Sequence, residues 1–163
     1  MFWDAQMEWI MKHETITVEG GCHCGEIRYE ACGTPVYIPY CHCESCRRTS
    51  GAPVVLYVMF EKQDVRFTQG QRKLYESSPG VQRSFCSNCG TPLTWEAVWG
   101  EKRVTEVHVS TLDDPEKVRP DRHVFYEERL SWFDLSDQLP RFNGSSTNAE
   151  PDSFGPSIKR HPE

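Results

Sequence analysis

Seven of the eight cysteines fall in three tight groups: Cys22 and Cys24 in GGCHCG, Cys41, Cys43 and Cys46 in YCHCESCRRTSGAP, and Cys86 and Cys89 in FCSNCGTP. Sulfurs at such short spacing are what a thiophilic metal needs. A C-x-x-C followed by Gly turns both sulfurs to one side while backbone N–H groups point at the thiolates, so Cys86 and Cys89 supply half of a tetrahedral zinc site. Cys22 and Cys24 share one face of an extended segment and supply the other half. The four together read as a closed, structural zinc site. A disulfide reading is weaker, because neighbouring C-x-C sulfurs bridge only with strain. A thioredoxin-type redox pair would need a βαβ pattern around Cys86, and none is present.

Cys41, Cys43 and Cys46 remain for a second zinc. Three protein ligands leave one position open, which is the arrangement of a catalytic zinc. Cys32 sets up the competing expectation. If a hairpin brings it to this cluster, the second site is closed, both metals are structural, and the chain is a non-catalytic scaffold that binds a protein partner. Lying outside any ligand-spaced pair, Cys32 reads first as a free buried thiol. Three thiolates on Zn2+ carry one negative charge in excess, so such a metal activates water poorly and suits an incoming thiol better. The matching chemistry is making or breaking a carbon–sulfur bond.

The residues around the cysteines allow finer readings. Arg47 and Arg48 can offset the excess charge or bind a substrate carboxylate. Ser50 and Gly51 form a small-residue turn into the next strand. His23 and His42, central in their C-H-C triplets, point away from the sulfurs if the backbone is extended, and read as outer donors or solvent-facing rings. His123 and Trp132 lie on late segments that could fold over the site, His123 as a substrate contact and Trp132 as core.

Elements that could position these groups are mostly strands. From Thr15 onward the chain shows short runs rich in β-branched and aromatic residues, TITV, EIRYE, PVVLYVMF, DVRFTQG, RKLYES, LTWEAVW and RVTEVHVSTL, punctuated by Gly, Pro, Ser and Asn. DDPEKV predicts one helical turn with Pro115 at its start. The fold class is therefore mainly β, a small zinc-stabilised domain with few short helical turns. The expected divisions are an N-terminal extension over 1–14, the zinc domain over 15–142, and a polar tail over 143–163. The extension carries Phe2, Trp3, Trp9 and Ile10, which read as an amphipathic turn or two and a contact in a homo-oligomer, unless Met11 is the start.

With 163 residues the chain fits one domain, and 18 Lys and Arg against 24 Asp and Glu give a net charge of -6. No basic cluster marks a nucleic-acid or acidic-membrane surface. No apolar run reaches the ~20 residues of a bilayer span, and the N-terminus lacks the pattern of a secretion signal. The expectation is a soluble cytoplasmic protein.

GGCHCGEIRYE, CHCESCRRTSGAP and FCSNCGTPL, followed by PDRHVF and LSWFDLSDQLPRF, resemble the family of glutathione-dependent formaldehyde-activating enzymes and centromere protein V. The resemblance covers roughly residues 15–142. It implies a β-tent domain with Cys22, Cys24, Cys86 and Cys89 on one zinc and Cys41, Cys43 and Cys46 on a second, where glutathione would add to formaldehyde. It also implies a carbon–sulfur lyase activity. Cys32 has no place in the family's ligand pattern.

Overall fold

A computed structural model describes residues 13–145. The expected amphipathic segment at residues 2–11 and the tail from 146 lie outside the described residues. Ten strands and one helix follow in chain order: β1 (Ile16–Gly21), β2 (Arg28–Gly33), β3 (Pro39–Cys41), α1 (Glu44–Ser50), β4 (Val55–Glu61), β5 (Val65–Gln69), β6 (Lys73–Ser78), β7 (Val81–Phe85), β8 (Pro92–Trp99), β9 (Lys102–His108) and β10 (Arg122–Val124). Single 3-10 turns fill several connections, including Pro115–Lys117 at the predicted place. The domain is mainly β, as expected. No helix among the described residues is long and apolar enough to cross a membrane.

Strands β1, β2 and β5 form a three-stranded antiparallel sheet, and the other seven form a second sheet in the order β10-β3-β4-β9-β8-β7-β6. Alternation along β4 explains how the second sheet is buried on both faces. Val58 and Phe60 point to one side, and Val55, Tyr57 and Met59 to the other. On the first side they pack with Val107 and Leu93 against Val18, Tyr29 and Ala31 of the small sheet and Ile27 just before β2. Each such side chain taken from water contributes about 1.5–3 kcal/mol before conformational entropy is subtracted.

The opposite face is different in character. Cross-strand register places Arg83, Trp95, Glu106 and Met59 in one row across β7, β8, β9 and β4, with Tyr57 opposite His108 beside it. This polar face lies under α1 and the end of β3. β10 runs parallel to β3, with His123 opposite Tyr40 and Val124 opposite Cys41, so the late segment of the chain is stitched to the strand that delivers Cys41.

Gly20 of β1 sits directly against its β2 partner Tyr29 and the 3-10 turn Val109–Thr111 that follows β9. A Cβ on it would overlap the Tyr29 hydroxyl and the Thr111 carbonyl, and Tyr29 Oη is hydrogen-bonded to Thr111 Oγ1 at 2.7 Å. Gly20→Ala should therefore destabilise the domain by roughly 1–3 kcal/mol in urea unfolding, the usual cost of overpacking a well-filled contact. An unchanged midpoint would show that Tyr29 and the turn at Thr111 can move aside there.

Candidate metal centres

The first cluster joins two turns. The turn after β1 returns the chain to β2 with Cys22 N–H donating to Ile27 O at 3.1 Å, and the turn after β7 is closed by Cys86 N–H to Thr91 O at 3.0 Å. Gly90 takes a positive φ of 76° there, a conformation side chains resist, which is why Gly follows the C-x-x-C. Sγ atoms of Cys22, Cys24, Cys86 and Cys89 all lie within 4.8 Å of one another. A tetrahedral ion with metal–sulfur bonds of about 2.3 Å spaces its sulfurs about 3.8 Å apart. Cys22 and Cys24 are separated by 3.5 Å and Cys24 and Cys86 by 3.8 Å, so the donor set fits such an ion. Ile27 N–H donates to Cys22 Sγ at 3.2 Å and the Asn88 amide to Cys24 Sγ at 3.3 Å, as thiolate charge requires. The hydrogen bond from Thr91 pulls Cys89 down to about 5.

The second cluster is built at one strand–helix junction. Cys41 ends β3, Cys43 is the N-cap of α1, and Cys46 lies in the first helical turn. The Cys43 sulfur does the work of a capping oxygen, accepting the Cys46 N–H at 3.3 Å. Glu128 supplies a second cap, its carboxylate accepting the Glu44 N–H at 2.9 Å. All three sulfurs lie within 4.8 Å of one another, with Cys41 and Cys46 at 3.5 Å, and all three residues are buried. This set too fits a metal ion. Among the described residues, no further Cys, His, Asp or Glu joins either group.

Arg83, which the sequence reading did not single out, meets this cluster from β7. Its Nη2 donates to Cys46 Sγ at 3.6 Å, its Nη1 to the Tyr57 hydroxyl at 3.4 Å and its Nε to Ser77 Oγ at 3.2 Å. Hydrogen bonds from Cys41 and Cys43, then the Arg83 charge, hold Cys46 well below the ordinary thiol value. Burial raises Glu106 to about 8 and lowers His108 to about 4, so both are predominantly neutral at pH 7.

Several expectations change. Cys32 is exposed rather than buried, sits on β2, and accepts the Thr17 hydroxyl at 3.3 Å, apart from both clusters. It faces out because Tyr29 and Ala31 face in. Ser50 and Gly51 do not form a simple turn; they end α1, with Gly51 N–H donating to Arg47 O at 2.8 Å. Arg47 is tied to the carbonyls of His42 and Glu128, while Arg48 is exposed and paired with Glu44. Neither is among the hydrogen-bond partners of the cluster sulfurs. His123, expected as a substrate contact, is fully buried. It accepts from or donates to His42 Nε2 at 2.9 Å and holds Asp137 at 3.0 Å. Burial lowers His42 to about 4, and its Nδ1 has no hydrogen-bond partner among the described residues. His23 is exposed, as one of its two readings expected. Trp132 is 74% exposed, not core, and lines an open groove of about 400 Å³ with Arg47, Arg48, Gly51, Pro53 and Leu130.

Residues 17–128, spanning both clusters, match the family model of the glutathione-dependent formaldehyde-activating enzymes. The chain belongs to this family. A Schizosaccharomyces pombe protein named as an uncharacterized lyase is 27% identical over 124 residues, 76% of this chain and 89% of that protein. A Halomonas elongata protein, provisionally named glutathione-dependent formaldehyde-activating enzyme, is 28% identical over 130 residues, 72% of this chain and 80% of its own length. A crystal structure of a Rhodobacter sphaeroides protein shares the fold, with a TM-score of 0.51 and 23% identity over 76% of this chain and 98% of that one. Trp132 and Asp137 lie beyond the residues matched to the family.

If the first cluster holds an ion, Cys24→Ser should lower metal content by about one equivalent and reduce the thermal midpoint, since the ion joins the β1–β2 and β7–β8 turns. Metal analysis beside thermal unfolding checks this, and an unchanged metal content would remove the ion from the site.

Proposed function

We propose that the chain is a zinc-dependent carbon–sulfur lyase-type enzyme acting on a thiol adduct, glutathione with formaldehyde or a related aldehyde. The observation that carries the reading is the second cluster: three buried sulfurs gathered at one junction, with a cation against one of them and no fourth donor among the described residues. Cys22, Cys24, Cys86 and Cys89 would hold a structural zinc, and Cys41, Cys43 and Cys46 the second. When bound at the second cluster, zinc would stabilise a substrate sulfur in its thiolate form. The reaction is redox-neutral. In one direction a C–S bond forms, the carbonyl π pair goes to oxygen, and the thiol proton ends on that oxygen; the lyase direction reverses each change.

The chain's own residues support this chemistry in three ways. Burial of the cluster keeps bulk water from the sulfurs, Arg83 sets a positive charge against them, and the groove offers a place for the rest of a peptide-like substrate. Arg48 can leave Glu44 for a substrate carboxylate with little loss, because exposed pairs of this kind contribute only about 0.3–0.5 kcal/mol. Arg47, fixed by two carbonyls, lends charge from a set position. Cysteines kept as metal ligands would suit a reducing, cytoplasmic setting. The scaffold reading needs Cys32 as a fourth ligand, and Cys32 stands on the outer face of the small sheet.

Two variants test the proposal. Glutathione-dependent consumption of formaldehyde above the spontaneous rate should vanish in Cys43→Ser; persistence of the full rate would remove the cluster from the chemistry. In Arg48→Ala, KM for glutathione should rise about tenfold while kcat changes little, the signature of lost binding to the non-reacting part of the substrate. A fall in kcat at unchanged KM would contradict a carboxylate-binding role.

A further inference from the structure

Arg83 has the properties of a functional group. It is only 8% exposed, and its three hydrogen-bonded partners are a cluster sulfur, a buried phenol and a serine hydroxyl. A buried guanidinium is costly unless an anion faces it. Its surroundings on the same sheet face offer Tyr57, Tyr37, Glu106 and His108. Tyr37 donates to Glu106 at 3.2 Å, and the edge of His108 meets Tyr57 with ring centroids 4.7 Å apart. Of these groups, the one that metal ligation would make anionic and that Arg83 contacts is the Cys46 sulfur, 3.6 Å from Nη2.

We propose that Arg83 is a positioning residue that serves as the buried counter-charge of the second cluster, so that three thiolates can bind a divalent ion and still accept a fourth, anionic sulfur. The inference rests on the metal reading of that cluster. With one excess negative charge on the loaded cluster, an arriving thiolate would face repulsion in a low-dielectric interior. The Arg83 charge cancels that excess before the substrate arrives. Arg47 and Arg48, the nearer residues in sequence, are engaged elsewhere, with backbone carbonyls and with Glu44. Geometry also explains the choice of arginine: its planar fork reaches sulfur, phenol and serine at once, while its permanent charge cannot be surrendered by burial.

The test compares Arg83→Lys, which keeps the charge and loses the fork, with Arg83→Gln, which keeps hydrogen-bonding groups and loses the charge. Full-length protein is loaded with cobalt, metals are counted, and chelator competition and thiolate-to-cobalt absorption are read before and after adding glutathione. The unmutated chain should hold two ions. Arg83→Gln should keep the ion of the four-cysteine cluster but bind the second at least about tenfold more weakly, the scale of lost outer partners of metal ligands. Its spectral response to glutathione should need higher thiol concentrations. Arg83→Lys should restore most of both properties.

Equal weakening of both sites in Arg83→Gln would make Arg83 a residue of the fold and overturn the proposal. So would a second site that Gln preserves better than Lys, because geometry rather than charge would then matter. Two ions in every variant, with unchanged affinity and thiol response, would overturn it while leaving the metal reading intact. A single ion in the unmutated chain would overturn the metal reading of the second cluster and the proposal with it.

Discussion

Three sulfurs buried together beneath a helix are the constraint around which one half of the molecule is organised. Cys41, Cys43 and Cys46 are each 5–6% exposed, so water cannot solvate thiolates there. Protein groups must do it, and they come from three elements: the α1 backbone through the Cys46 N–H, β7 through Arg83, and β4 through Tyr57, hydrogen-bonded to Arg83. The same demand explains why this face of the seven-stranded sheet is polar while its other face is an ordinary apolar core. Glu106 and His108 can be buried there because their uncharged forms are favoured.

The late part of the chain serves this junction from the other side. β10 pairs with β3, His42 N–H donates to Val124 O at 3.1 Å, and the segment after Tyr126 caps and clamps α1 through Glu128. His123 links His42 to Asp137, so the residue between two cluster cysteines is fixed by a hydrogen-bond chain that ends at the surface. Phe125 adopts a left-handed backbone at φ 51°, a conformation costly for an aromatic residue, immediately before the turn that places Tyr126 edge-on to His42. Over-determination by these contacts is what holds such a residue in place.

What could be read from the sequence was what is local. Ligand groups are legible because two or three residues of covalent spacing already bring sulfurs together, and seven of the ten strands announce themselves by runs of β-formers. β3 and β10, three residues each, are too short to show alternation, and β7 hides because its inward position is Arg83. The helix α1 was invisible for a related reason: its N-cap is a cysteine instead of Ser, Thr, Asp or Asn, and RRTS has no apolar face. Cys32 was legible in principle. Tyr29 and Ala31 are the apolar positions of β2, and alternation sends Arg28, Glu30 and Cys32 outward. A general tendency of cysteine to be buried obscured that pattern. Arg83 could not be found this way, since its meeting with Cys46 depends on sheet register between residues far apart in the chain.

The two clusters gather the same kind of side chain yet differ in how many they bring together, and local backbone geometry accounts for the difference. The four-cysteine cluster draws a pair from each of two turns, so two short motifs complete a tetrahedron. The three-cysteine cluster comes from one strand end that becomes a helix. After Cys46, the next residues along its face of α1 are Thr49 and Ser50, and their hydroxyls donate back to the carbonyls of Ser45 and Cys46. The helix thus spends the positions from which a fourth donor could come. The neighbouring strand brings Arg83, a cation that can face a sulfur but cannot ligate a metal. Among the described residues, strand, helix and sheet each stop short of a fourth donor.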